Sequence, residues 1–140
     1  MSLILYTEDD AILLADGDAV LRDAGYEVLL ASTGAEACAL LGSQGARVSA
    51  LVTDINLAGE MQGWSVAEAG REINPDLPVV YVSASDRREF ARRGVADSVW
   101  IPKPFQWSRV IEALAALLRD HAPDRGRIEG GYLLSYAGPP

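Results

Sequence analysis

A chain of 140 residues, 49% hydrophobic and 23% charged, has the size and balance of one ordinary globular domain, able to bury a core without disulfide or metal staples. That excludes general disorder, a collagen-like rod and a coiled coil, and no apolar run approaches the roughly 18 residues of a membrane span. The net charge of −8 argues against nucleic-acid binding, and one cysteine, Cys38, excludes an internal disulfide framework or a multi-cysteine metal site.

In chain order, Met1 to Tyr6 has no basic flank and runs into Glu8-Asp9-Asp10. It does not read as a signal peptide, and a cytoplasmic location is expected. Leu3 to Thr7 reads as a buried strand. Leu13, Leu14, Val20, Leu21 and Ala24 then form one helical face, weakened by Gly17 and closed by Gly25. Val28 to Leu30 is the weakest strand signal. A second helix carries Ala37, Cys38, Leu40 and Leu41 and is entered through Ser32-Thr33 as caps. Leu51 to Thr53 is a third strand, followed by a helix with Val66, Ala67, Ala69, Gly70 and Ile73 that stops before Pro75. Val79 to Ser83 is a fourth strand, and Asp86 to Arg93 a short, Arg-heavy helix. Val99 to Ile101 is a fifth strand, and Val110, Ile111, Leu114, Leu117, Leu118 and His121 give the clearest helix. Residues 1–121 are therefore expected to form one domain. Residues 122–140, rich in Gly and Pro, read as a tail with no separate output domain.

Strand–helix alternation repeated five times predicts an α/β domain, a parallel sheet with helices on both faces. Ligands in such sheets bind outside the carboxyl ends of the strands. At those ends lie Glu8, Asp9 and Asp10, then Asp54, then Ser83, then Lys103. Crowded carboxylates raise one another's pKa or recruit a cation. A hard divalent ion such as Mg²⁺ suits oxygen ligands and shares a phosphate. Lys103 is the only lysine beside eleven arginines and stands between Pro102 and Pro104. A compact ammonium fits a small pocket that a planar guanidinium does not. Together these groups are the equipment of phosphoryl transfer to a carboxylate.

The motifs Ile4-Leu5-Tyr6-Thr7-Glu8-Asp9-Asp10, Leu51-Val52-Thr53-Asp54-Ile55-Asn56-Leu57, Val80-Tyr81-Val82-Ser83-Ala84 and Trp100-Ile101-Pro102-Lys103-Pro104-Phe105, in that order, resemble the receiver domain of bacterial two-component response regulators. The resemblance covers roughly residues 3 to 121. It implies a flavodoxin-like (βα)5 fold, a doubly wound five-stranded parallel sheet in three layers. It also implies that Asp54 accepts a phosphoryl group from a sensor histidine kinase or phosphotransfer protein, and that Ser83 and Lys103 hold phosphoryl oxygens. Mg²⁺ would be held by Asp9, assisted by Glu8, with Asp54 and the Asn56 carbonyl. The Lys103–Pro104 bond is expected to be cis. Such a protein is a switch and not an enzyme in the ordinary sense, although it catalyses its own phosphotransfer and dephosphorylation.

The chain departs from the family pattern in places. Ala58 and Gln62-Gly63 replace the usual Pro and Asp-Gly, and Gly59-Glu60-Met61 lengthens that loop by about one residue. Trp100 takes the place of a Tyr, Phe or His that moves inward with the hydroxyl residue; its size predicts a poor inward fit. Arg87, Arg88, Arg92 and Arg93, with Arg109 on the next helix, form a candidate face for a downstream protein with an acidic surface. Tyr132, Leu133, Leu134 and Tyr136 are candidates to dock on the domain, its edge strand or a second copy, giving weak tail-dependent homodimers. Two alternatives stand beside the phosphorylated switch. One is a degenerate receiver that binds partners without phosphorylation. The other is a phosphatase-type enzyme, disfavoured because Asn56 stands where a second acid is wanted.

Overall fold

The computed structural model describes residues 1–84, 87–119 and, for the backbone, 132–133. Strands β1 (Leu3–Thr7), β2 (Glu27–Ala31), β3 (Ala50–Asp54), β4 (Val79–Ser83) and β5 (Val99–Pro102) alternate with helices α1 (Ala11–Asp23), α2 (Gly34–Gln44), α3 (Gly63–Ile73), α4 (Arg87–Arg93) and α5 (Trp107–Leu118). The five strands pair in parallel in the order β2-β1-β3-β4-β5. A short strand β6 (Tyr132–Leu133) pairs antiparallel with the outer edge of β5. The parallel five-stranded sheet is the one the sequence predicts. The sixth strand enlarges it, and its backbone lies on the same chain's edge strand.

Alternation along each strand divides the core. Leu3, Leu5, Leu51, Val79, Tyr81 and Trp100 face α2, α3 and α4. Ile4, Tyr6, Val52, Val80, Val82 and Ile101 face α1 and α5. Because both faces are covered, β1, β3 and β4 are buried throughout, which is why they read as unbroken apolar runs.

Local chemistry fixes the helix ends. Asp10 is the N-cap of α1, its Oδ1 accepting from the backbone N–H of Ile12 (2.9 Å) and Leu13 (3.1 Å). After α1, Gly25 adopts φ +99°, and the N–H groups of Gly25 and Tyr26 close onto the carbonyls of Arg22 and Leu21. Thr33 caps α2 through the Glu36 N–H, while the Glu36 carboxylate accepts from the Ser32 N–H at 2.7 Å. Gly17 has a packing reason: a Cβ there would lie 2.2 Å from Tyr6 Cε2 and 2.6 Å from the Trp107 ring. Helix α1 can press on those two edge-to-face rings only through a glycine.

A row of aromatic rings crosses the other layer. Trp64 and Tyr81 lie 4.9 Å apart, Tyr81 and Phe90 5.9 Å, and Phe90 and Trp100 5.9 Å. Phe90 is the buried residue that holds α4 to the sheet. The expectation that Trp100 is too large to turn inward is not met. Its side chain is 6% exposed and stacks on the ring of Phe90, which α4 lays against it. Trp64 is likewise buried. His121 lies outside the described residues; α5 ends at Leu118.

Candidate functional site

The strand order reverses between β1 and β3, each of which has a neighbour reached by a crossover in the opposite direction. In open α/β sheets ligands bind at such a point, beyond the carboxyl ends of the strands. Glu8 and Asp9 follow β1, Asp54 ends β3, Ser83 ends β4 and Lys103 follows β5. The sequence-predicted residues thus converge on one edge.

Lys103 Nζ stands between two carboxylates, 3.1 Å from Asp54 Oδ2 and 3.2 Å from Glu8 Oε1. Its backbone N–H donates to the Ser83 carbonyl at 2.9 Å, fixing the lysine to the end of β4. Asp54 Oδ1 accepts from the Asn56 N–H at 3.3 Å, and Asn56 Nδ2 donates to Ser83 Oγ at 3.4 Å. Asp54 is nearly buried, Ser83 fully so, and Asn56 and Asp9 are exposed. The Lys103–Pro104 peptide is cis.

Glu8 is the most confined of the acids, 1% exposed. Burial pushes its carboxyl up to about 7; the Asp10 backbone N–H opposes that, the Asp54 charge adds to it, and Lys103 opposes it. Burial also acts to lower the Lys103 pKa, but the hydrogen bonds and charges of Asp54 and Glu8 outweigh it, and the ammonium is held above its ordinary value. The site therefore has a firm cation at its centre and one acid that resists ionising.

One carboxylate oxygen from each of Glu8, Asp9 and Asp54 falls within 4.8 Å of the others. Three hard oxygens from acids, one of them exposed to bring in a hydrated ion, fit a small divalent cation that keeps part of its water shell.

Two residues that sequence reasoning did not place among the site's supports are Gln62 and Gly63. Gln62 Oε1 accepts from the Leu57 N–H at 2.8 Å, latching the lengthened loop. Gly63 donates its N–H to the Ile55 carbonyl at 2.8 Å, and a Cβ there would lie 2.2 Å from the carbonyl oxygen of Asp54. Helix α3 starts directly against the backbone of the central aspartate. The Gln-Gly pair, standing where the resemblance has Asp-Gly, is the signal that could have found them. The same loop rests on α2 through Met61, whose Sδ is 3.1 Å from Cys38 Sγ.

The family description "Response regulator receiver domain" matches residues 4–115. The chain belongs to the response regulator receiver family. The receiver is 36% identical over 120 residues to the transcriptional regulatory protein PrrA of Mycobacterium tuberculosis, a match spanning 83% of this chain and 49% of PrrA. It is 29% identical over 117 residues to the sensor kinase CckA of Brucella abortus, covering 82% of this chain and 12% of that one. The chain thus spans half or less of the length of these relatives. Among solved structures, a response regulator receiver protein from Sinorhizobium medicae WSM419 shares 40% identity at a TM-score of 0.82, covering 86% of this receiver and 97% of that chain. Receivers are phosphoacceptor switches that bind Mg²⁺ at an acidic site and interact with histidine kinases or phosphotransfer proteins. Among the described residues, no helix is long and apolar enough to cross a membrane.

Proposed function

We propose that Asp54 of this receiver accepts a phosphoryl group from the phosphohistidine of a sensor kinase or phosphotransfer protein, and that the phosphorylated chain signals by protein contact. The supporting observation is the Asp54 carboxylate at the end of β3, 3.1 Å from Lys103 Nζ and clustered with Glu8 and Asp9. An oxygen of Asp54 forms the new bond to phosphorus as the bond to the donor histidine nitrogen breaks; water later takes the phosphoryl group and restores the carboxylate. Glu8, Asp9, Asp54 and the Asn56 carbonyl would hold Mg²⁺, which supplies charge neutralisation to the phosphoryl oxygens when bound. Lys103 gives one phosphoryl oxygen a fixed positive partner, and Ser83 Oγ offers a hydroxyl to another. Lys103 must then loosen its hold on Glu8 and Asp54, which makes the present ion pairs a resting arrangement.

The approach side is apolar. Ile12 is 74% exposed beside the acids, and Leu13, Pro104, Phe105 and Trp107 line a cavity of about 370 Å³ that reaches Lys103. A donor protein has an apolar seat there next to Asp54. On α4, Arg87, Arg88 and Arg92 are exposed and offer a basic surface to a downstream protein. Arg93 places its guanidinium 5.7 Å over the Trp64 ring, and Arg109 pairs with Glu112 at 3.3 Å.

The test is acetyl phosphate with Mg²⁺, read by intact mass. Wild type gains one phosphoryl group and Asp54→Asn gains none. Equal labelling of the variant would show that the acceptor is elsewhere, and an unlabelled wild type would favour a receiver that works without phosphate.

A further inference from the structure

The outer edge of β5 has an unusual backbone. The Lys103 N–H points inward to the Ser83 carbonyl, so by strand alternation Val99 and Ile101 also present their backbone groups to β4. The residues that present theirs outward are Trp100 and Pro102. Pro102 has no N–H, so Trp100 carries the sole outward donor of this strand. Opposite Trp100 stands Tyr132 of β6, and opposite Val99 stands Leu133. Trp100 and Tyr132 are therefore the pair that exchanges both N–H···O bonds. An edge of this kind rejects a long strand, which would find no donor at Pro102, and accepts a short one.

We propose that the β5 edge is a strand-addition site for the Tyr132–Leu133 segment, filled by the chain's own segment when dilute and by the segment of a second copy when concentrated. The backbone pairing is the same in both cases, since the two copies are identical. The pairing spans only two residues on each strand, few enough for it to open and reform. Residues 119–131 connect α5 to β6, and a connection of that length gives the segment an effective concentration on the order of mM at its own edge. In a reciprocal exchange two internal pairings are lost and two are regained across the dimer, only one of them bimolecular. The pairing strength cancels, and the dimer dissociation constant falls near the effective concentration itself, on the order of mM. The result is a twofold, strand-exchanged dimer. This goes beyond the phosphoacceptor reading and does not depend on it.

The test uses the full chain and a Tyr132→Pro/Leu133→Pro variant, which cannot donate to the edge. Amide hydrogen exchange should show the Trp100 N–H protected in wild type and exposed in the variant, with the Ile101 and Lys103 amides unchanged. Sedimentation equilibrium from about 0.02 to about 2 mM, bracketing the effective concentration, should show wild type rising towards dimer mass while the variant stays monomeric. Equal Trp100 protection in both chains would overturn the strand-addition site. A wild type that remains monomeric throughout would overturn the exchange. Dimers that persist in the proline variant would assign the contact to another surface and also overturn it. Phosphoryl uptake at Asp54 reports separately, so failure of either idea is visible on its own.

Discussion

Replacing Gly63 by alanine should damage the fold and the site together, whereas the same change at Gly42 should do the reverse. A Cβ at Gly63 would lie 2.2 Å from the Asp54 carbonyl oxygen and 2.8 Å from Ile55 Cα. Both neighbours are backbone at the end of a buried strand, so neither can rotate away. To reach even the tightest tolerated separation of 3.0 Å, the start of α3 must move off by about 0.8 Å. That strains the Gly63 N–H bond to Ile55 and lifts Trp64 from Tyr81. Overpacking costs about 1–3 kcal/mol and a weakened hydrogen bond about 1 more, against a helix-propensity gain of at most about 1. The net loss is about 1–3 kcal/mol. Gly42 lies exposed inside α2, and a methyl group placed there would meet nothing within 4 Å, so alanine should add about 0.5–1 kcal/mol. Urea denaturation in chelator measures both, and thermal melts should separate the two variants by roughly 4 °C for each kcal/mol. Beryllofluoride binding should weaken in Gly63→Ala alone. A Gly63→Ala chain as stable as wild type, or a Gly42→Ala chain less stable than it, would refute the close-approach argument.

Four further outcomes are expected. The Glu8 carboxyl is pushed up to about 7 from 4.5, so without metal the stability it contributes is complete below about pH 4.5 and is lost as pH climbs through 7; Glu8→Gln should flatten that slope in chelated melts, and parallel curves would show that Glu8 is not the source. Mg²⁺ at 100 times its dissociation constant should stabilise wild type by about 2.7 kcal/mol, while Asp54→Asn should melt higher than wild type in chelator and respond less to the metal, as calorimetry can read. Lys103→Arg keeps the charge but replaces a point cation between Glu8 and Asp54 with a wide fork, and should weaken beryllofluoride binding about tenfold or more by fluorescence titration. Gln62→Ala strands the N–H of nearly buried Leu57 and should cost about 1–2 kcal/mol in urea denaturation.

Much of this was legible in the sequence because strand and helix periods are local. Leu3 to Thr7 and Val79 to Ser83 were apolar runs because they are buried on both faces, and the residues after them had to meet at one edge. The caps at Asp10 and Thr33 and the glycine stop at Gly25 are likewise short-range chemistry. What escaped the sequence depends on distances between elements. Gly17 read as a weak spot in a helix, yet it makes room for Tyr6 and Trp107. Trp100 read as too large, because nothing local tells that Phe90 lies flat above it. Glu8 and Asp9 looked alike as neighbours, but alternation at the end of β1 buries one and exposes the other. A two-residue pairing such as β6 carries too little pattern to announce its register.

The contact of Gly17 with Tyr6 and Trp107 ties together three positions that lie far apart in the chain. Their histories cannot be independent. A lineage of this receiver gains nothing from alanine at 17 until one of the rings has shrunk, and a shrunken ring leaves a void until 17 has grown. The cheaper order is ring first, because a partly filled gap is tolerated better than a methyl driven into an aromatic edge. Descendants should therefore carry either glycine with both large rings or a larger residue with a smaller one, with the mixed state rare and short-lived.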